Sequence, residues 1–287
     1  MPLFKHPEDR LPVAIVFALT ALDFAAFAWL KNPWLLLGYG LVMIVPKGIL
    51  SAWNHHHQHV ATFRSVALNR SLELSYALHT GMTTNAWLLH HVLGHHRNFL
   101  DQTRDESRWT RADGKTMGVA EYTLRTALAA YPRAYQVGTK FPAHQRIFLT
   151  YAALTAALVI TLVWLKPLSG IVLFVAPMIT SLLYTCWVTY DHHAGLATDD
   201  HFEASYNITN RWYNRLTGNL GYHTAHHHKQ GVHWSLLPAL HEKIAHRIPA
   251  SLYRKSTFDA FLPQAEKTAS VGSGGGVWSS NVVRPES

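Results

Sequence analysis

Two apolar runs near the start of the chain decide its fold: LPVAIVFALTALDFAAFAWL at residues 11–30 and WLLLGYGLVMIVPKGILSAW at residues 34–53. Only the tripeptide KNP separates them. About 20 apolar residues at a rise of 1.5 Å cross a hydrocarbon core of roughly 30 Å, so each run is long enough to span a bilayer. The pattern predicts a helical hairpin with its tip on one side of the membrane.

A second pair of runs repeats this arrangement later in the chain. Residues 148–165 and 168–190 carry no charge and are joined only by Lys166-Pro167. Strand patterns are weak throughout the sequence. We therefore predict an all-α integral membrane protein whose four transmembrane helices form two hairpins.

The distribution of positive charge predicts the orientation of these hairpins. Of 25 lysines and arginines, only Lys31, Lys47 and Lys166 lie in the tips or inside a run. Because positive residues favour the cytoplasmic side, both termini and the long segments 54–147 and 191–262 are expected there, at the inner membrane if the organism is bacterial. The same rule accounts for most of the net charge of +8 without a nucleic-acid partner.

Composition narrows the class of protein further. The 287 residues are 48% hydrophobic and only 15% charged, against roughly 25% charged in soluble domains. The single cysteine excludes a disulfide framework, an iron–sulfur cluster and a cysteine-based zinc site. We expect one domain over residues 1–262, with amphipathic helices at 71–91 and 119–130 as a cytoplasmic cap, and a flexible polar tail at 263–287.

The 21 histidines are the unusual feature, because they exceed the 17 acidic residues and gather in clusters at the cytoplasmic ends of the spans. Histidines at i, i+3 and i, i+4 share one face of a helix. This spacing predicts that each of three clusters aims two or three ring nitrogens at one point. The predicted ligands are His55, His59, His91, His95, His96, His223, His226 and His227.

Eight imidazoles are more than one metal ion takes, so the count favours a dinuclear redox site over zinc. Imidazole suits iron, zinc, copper and nickel alike, and ligand type alone does not choose among them. Neighbouring residues on a helix point about 100° apart, which turns most adjacent histidines away from the site. His57 is ambiguous, since it would ligate together with His55 and His59 if this segment were bent.

These motifs resemble those of the membrane fatty acid desaturase and hydroxylase superfamily, the integral-membrane non-haem diiron enzymes. Its boxes H-x-x-x-H, H-x-x-(x)-H-H and H-x-x-H-H stand here as His55…His59, His91…His95-His96 and His223…His226-His227, in the same order. The first box follows the first hairpin, the second lies before the second hairpin, and the third follows it. The resemblance extends over residues 11 to about 245. It implies two iron ions with O2 as co-substrate, and the diiron centre itself as the catalyst, so no separate acid or base is assigned.

The resemblance also implies ligands outside the boxes. The family uses a further ligand soon after the fourth span, where His193 matches slightly better than His192. An asparagine holds a metal-bound water in some relatives, and Asn219 or Asn207 is a candidate for that role.

The implied reaction is removal of hydrogen from an unactivated C–H bond of a fatty acyl or other lipid-like chain, most simply desaturation. Hydroxylation and decarboxylation to a terminal alkene use the same ligands, so both stay open. No flavin, haem or nicotinamide motif is present. Electrons are therefore expected from a separate ferredoxin, rubredoxin or cytochrome b-type protein with its reductase.

Two other classes of membrane protein fit the sequence less well. A metal transporter places its ligands near the bilayer midplane. A haem-binding cytochrome b-like carrier needs paired histidines inside the spans. Here the boxes lie at or beyond the span ends, which disfavours both.

Overall fold

The computed structural model describes residues 2–255, and within them the chain forms helices joined by turns, with three isolated β-bridges and no strand. The predicted tail at 263–287 and the last residues of the predicted domain lie outside the described residues. The helices are α1 (Arg10–Trp29), α2 (Pro33–His59), α3 (Val66–Thr80), α4 (His96–Asn98), α5 (Val119–Gly138), α6 (Pro142–Leu165), α7 (Pro167–Gly170), α8 (Ala176–His193), α9 (Arg211–Thr217), α10 (His223–His228) and α11 (Leu237–Ile244). Two π-helices, Leu88–His95 and Ile171–Val175, precede α4 and α8, and four short 3-10 turns lie at Pro7–Asp9, Trp234–Leu236, Ala245–Arg247 and Ala250–Leu252.

Four helical segments are long and apolar enough to cross a membrane: Pro7–Trp29, Pro33–His59, Pro142–Leu165 and Pro167–His193. This finding confirms the all-α membrane architecture. Two of the segments run further than the predicted spans at the histidine-bearing end, because no glycine or proline lies between Trp53 and His59 or between Tyr190 and His193. The first histidine box is therefore part of the last turns of α2.

The two hairpin tips are tied to each other. The Asn32 side chain caps α2 by accepting hydrogen bonds from the backbone N–H groups of Trp34 and Leu35. In the second tip, Lys166 Nζ donates to the carbonyls of Phe27 and Ala28 at 2.7 and 2.9 Å. A cation at the C-terminal end of α1 also complements the helix dipole.

A buried ion pair links the first two spans midway along their length. Asp23 Oδ2 of α1 lies 2.8 Å from Lys47 Nζ of α2, and both side chains are almost fully excluded from solvent. Tyr39 donates its hydroxyl to Asp23 Oδ1 at 2.7 Å, and Lys47 donates to the Leu173 carbonyl at 3.0 Å. That carbonyl lies in the second π-helix, so Lys47 also joins α2 to the last span.

The segment predicted as one helix over 71–91 is broken, and that prediction is wrong. α3 ends at Thr80 because Gly81 adopts a left-handed conformation with φ of 70°. A Cβ at Gly81 would lie 2.4 Å from the Met178 carbonyl of α8, so only glycine permits this close approach. The predicted helix at 119–130 is present as α5 and continues to Gly138.

Candidate metal centre

The histidines converge at the end of the bundle where α2 and α8 finish. Three groups have ligand atoms that all lie within 4.8 Å of one another, and two of them lie here; the third is His6, Glu8 and His233. We call His55, His59, His91, His96 and His226 the five-histidine cluster, and His95, His193 and His227 the three-histidine cluster. Every member except His59 is buried. Two compact sets of nitrogens, rather than one, match a dinuclear site.

The π-helix decides how the second box is divided. The hydrogen bonds of a π-helix run between residues five apart, and this wider turn brings the Nε2 atoms of His91 and His96 to 3.0 Å. His95, which an α-helix would align with His91, instead turns to the other cluster. The prediction that the second box aims at one point is therefore wrong.

The third box is divided as well. His226 and His227 are neighbours on α10 and belong to different clusters, because consecutive helical residues point about 100° apart. Asn207 holds the start of this helix: its Oδ1 accepts the Thr224 N–H at 3.1 Å, and its Nδ2 donates to Thr224 Oγ1 at 2.7 Å. α10 thus lies between the two sets of nitrogens and contributes to both.

Distances within the five-histidine cluster match a coordination shell. His226 Nε2 lies 2.8 Å from His55 Nε2 and 3.0 Å from His96 Nε2. Ring nitrogens bound to one transition metal at about 2.1 Å lie roughly 3.0 Å apart where they subtend a right angle. The Nε2 atoms are therefore spaced as adjacent ligands of a single ion.

Hydrogen bonds in the three-histidine cluster show where the protons are. His193 Nδ1 donates to the Ala204 carbonyl at 3.0 Å, and His95 Nδ1 donates to the Asp105 carboxylate at 2.8 Å. A neutral imidazole carries only one N–H, so in the neutral form of both rings the Nε2 atoms carry lone pairs. Those two Nε2 atoms face each other 3.3 Å apart.

Facing lone pairs in a buried site require a cation between them. An extra proton is one candidate and a metal ion is the other. Burial first, and then the neighbouring imidazoles, hold the pKa of His193 and His227 well below the ordinary value, which disfavours an additional proton on either ring. Neutral imidazole is the form that binds metal. The donor set therefore fits metal ions better than protons.

Two members of the clusters have no protein partner at all in the described part of the chain. Both ring nitrogens of His59 are buried without a hydrogen-bond partner, and the same is true of His227. Buried polar atoms in native proteins are nearly always satisfied. One of these residues belongs to each cluster, so each cluster has a nitrogen that a bound ion would satisfy.

The remaining candidate residues lie at or beyond the margin of the clusters. His223 adjoins the three-histidine cluster, with its Nε2 3.0 Å from that of His193. His192 stacks on His223 and has its nitrogens against the Tyr206 carbonyl and the Tyr213 hydroxyl.

His57 and the two candidate asparagines point elsewhere. α2 is continuous through this region, and His57 faces Thr62 Oγ1 at 2.9 Å and Glu73 Oε1 at 3.3 Å. Asn219 donates to the Trp234 carbonyl at 3.1 Å, and Asn207 is occupied with α10 as described above. These contacts give none of the three a place in either cluster.

The family follows from a match over most of the chain. A model of the fatty acid desaturase family matches residues 10–258, which include all four spans and both clusters. This chain belongs to the fatty acid desaturase family. It is therefore a desaturase-like oxidoreductase of the membrane, in a family that uses iron. No curated protein was found to match it.

In this desaturase-like chain, a cavity leads from the membrane-spanning helices to the histidines. Its volume is about 40 Å³. Apolar residues of α2 and α8 line it beside His55, His91 and His223; they include Ile49, Ala52 and Val188. Binding sites for apolar ligands have this character, mostly apolar walls with a few polar groups. The cavity therefore brings apolar side chains up to His55 and His91 of the five-histidine cluster.

Sequence reasoning did not identify the groups that orient the ligands. Asp105 lies in the loop between α4 and α5, and the Ala204 carbonyl lies between α8 and α9. Trp87 packs against His55 and His91 with ring centroids 5.8 and 5.5 Å away. Loop residues follow no helical period, so no signal in the sequence marks Asp105 among the other acids near it.

Proposed function

We propose that this desaturase-family protein is an O2-dependent diiron oxidoreductase that desaturates a fatty acyl or similar hydrocarbon chain. The observation that carries the proposal is the pair of histidine clusters whose unprotonated ring nitrogens face one another beside an apolar cavity. The five-histidine cluster would hold one iron. The three-histidine cluster, with His223 beside it, would hold the other.

Two bound irons would supply the redox chemistry that activates dioxygen and removes hydrogen from an unactivated C–H bond. The chain's own residues would bind the hydrocarbon chain and orient the histidines. Ile49, Ala52 and Val188 surround a hydrocarbon segment and keep water from it, while the carbonyl of Ala204 and the carboxylate of Asp105 hold their histidines in one tautomer. The carbon that lies nearest the clusters is the one that reacts.

The orientation and the electron source belong to the same proposal. We place both termini and the clusters in the cytoplasm, following the positive charges, and take residues 1–262 as one domain. Exposed cations adjoin the ligand-bearing elements: Arg97 follows His96, and Lys229 follows α10. A small acidic electron carrier fits this surface by charge. Reversing both charges is expected to raise the donor concentration needed for half-maximal rate without changing the metal content.

Product mass tests the reaction. Iron-loaded protein in detergent is supplied with a series of fatty acyl substrates, reductant and a ferredoxin system, and the products are analysed by gas chromatography–mass spectrometry. Loss of two hydrogens with every carbon retained is the expected result. A gained oxygen would replace desaturation by hydroxylation, and loss of the carboxyl carbon would replace it by decarboxylation. Protein that holds two irons, is reduced and converts none of the chains would contradict the acyl substrate.

A further inference from the structure

We propose that Asp105 is a positioning residue for the three-histidine cluster: it fixes the protonated nitrogen of His95 and supplies a negative charge beside the metals. The inference rests on the proposed function, since it concerns how the second metal is held. Asp105 Oδ1 lies 2.8 Å from His95 Nδ1, and the two side chains are 1% and 0% exposed. This is the strongest carboxylate–histidine contact in the described part of the site.

The loop around Asp105 is built to hold the carboxylate in place. Asp105 Oδ1 also accepts the Ser107 N–H at 2.7 Å. Arg108 donates to the Asp105 carbonyl at 2.9 Å, and the buried Tyr122 donates its hydroxyl to the Ser107 carbonyl at 3.1 Å. The carboxylate therefore has little freedom to turn away from His95.

Gly94 allows this loop to approach the π-helix. A Cβ at Gly94 would lie 2.6 Å from Glu106 Cγ, the side chain next to Asp105. The residue immediately before His95 thus has no side chain at the point where the loop packs. Both partners of the contact, the ring and the carboxylate, are brought together by this packing.

The negative charge of Asp105 would offset the positive charge of bound metal ions. All members of both clusters are imidazoles, so metal ions would bring uncompensated positive charge into a buried site. Among residues 2–255, the acid–histidine pairs are Asp23–His79, Asp9–His233, Glu73–His57 and Asp105–His95. Of these histidines, only His95 belongs to a cluster. Asp105 is therefore the carboxylate that compensates the charge.

The two metals should consequently differ in their dependence on Asp105. His95 belongs to the three-histidine cluster alone, and a carboxylate on the far nitrogen of a ligating histidine strengthens the ligand. Losing such a partner costs about 10–100-fold in metal affinity. The effect should fall on one metal of the two.

The test uses the full-length protein in detergent and Co²⁺ as a spectroscopic substitute for Fe²⁺. Asp105→Ala and Asp105→Asn are compared with wild type for cobalt stoichiometry, for the visible spectrum and for the rate of cobalt loss to a chelator. Asp105→Ala is expected to bind one cobalt as wild type does and the other about 10–100-fold more weakly. Asp105→Asn should lose less, because its amide oxygen still accepts the His95 N–H.

Glu73→Gln is the matched control. Glu73 is also a buried carboxylate facing a histidine, His57, which lies outside both clusters. This variant should bind both cobalt ions as wild type does. If it weakens one ion as Asp105→Ala does, the effect is general packing and the positioning role is overturned.

The remaining outcomes separate this inference from the proposed function. Two cobalt ions bound by Asp105→Ala with unchanged affinity would overturn the inference alone. Equal weakening of both ions would also overturn it, because a positioning role predicts loss at one site. A wild-type chain that takes up no metal would overturn the proposed function together with the inference.

Discussion

The bundle contains two buried polar centres that solve the problem of burial in opposite ways. Midway along the spans, Asp23 and Lys47 neutralise each other at 2.8 Å, and Tyr39 and a backbone carbonyl satisfy their remaining atoms. At the histidine-bearing end of the bundle, imidazoles face one another, and Asp105 is the carboxylate that contacts a cluster member. The first centre is complete as protein alone, whereas the second is incomplete without the metal ions that we propose for it. Burial of polar groups by itself therefore does not mark a functional site. A set of buried polar groups that needs a further ion does.

The largest expected effect comes from removing a nitrogen from the incomplete centre. His226→Ala takes away the ring that lies within 3.0 Å of both His55 and His96. We expect product formation to fall by more than about 100-fold, beyond the roughly 10–100-fold cost of losing the hydrogen-bond partner of a ligating histidine. Product analysis and iron content measure this. As a control, His246→Ala removes an exposed histidine outside both clusters and should leave product formation and iron content unchanged. Full activity in His226→Ala would contradict a role for this histidine in holding metal.

Breaking the complete centre should affect stability and not metal binding. Asp23→Ala leaves the Lys47 ammonium buried without its partner, which costs about 3–5 kcal/mol. Thermal unfolding in detergent measures the loss, and metal per folded chain should stay at the wild-type value. The double variant Asp23→Leu, Lys47→Met removes both charges and should recover most of the stability. Loss of metal in folded Asp23→Ala would show that the two centres are not separate.

Metal removal tests how much bound ions contribute to the stability of the histidine clusters. An ion that binds only the folded chain stabilises it by about 2.7 kcal/mol at a free concentration 100 times its dissociation constant. Chelation of the wild-type protein should therefore lower its unfolding temperature. Chelation of Asp23→Ala should lower it by a similar amount, because its clusters are intact. An unfolding temperature that chelation does not move would mean that no structural ion is bound.

The smallest expected effect distinguishes two nearby histidines of α2, His57 and His59. His59→Gln removes a cluster member, while His57→Gln removes a histidine that contacts Thr62 and Glu73. We expect His57→Gln to keep its metals and to lose about 0.5–1.5 kcal/mol of stability, the net value of an ordinary hydrogen bond. Metal analysis of the two variants side by side decides this. Reduced metal in His57→Gln alone would support ligation from a bent segment.

Patterns along the sequence predict the parts of this structure that follow helical periodicity. The four spans and the pair His55 and His59 come from apolar length and from i, i+4 spacing, and the structure has both. The division of the second box does not follow from spacing, because a π-helix replaces the α-helical repeat between Leu88 and His95. The hydrogen bonds of a π-helix reach one residue further than those of an α-helix, and composition does not reveal this difference.

Tertiary contacts account for the rest of what sequence reasoning missed. The break at Gly81 is set by the approach of α8, ninety-odd residues further along, and the role of Asp105 is set by packing of its loop on Gly94. Asn219 looked suitable by its position before the third box, yet its amide donates to Trp234. Each of these depends on a partner that is distant or irregular in sequence.

The most direct test of the account is the number of iron ions that the wild-type chain holds. Protein loaded anaerobically with Fe²⁺ and freed of excess metal is analysed for iron per folded chain, with Mössbauer spectroscopy to count distinct sites. The account predicts two ions per chain in two nitrogen-rich environments, one for each histidine cluster. A chain that is folded and holds none, or holds one with no second site at any loading, would contradict it.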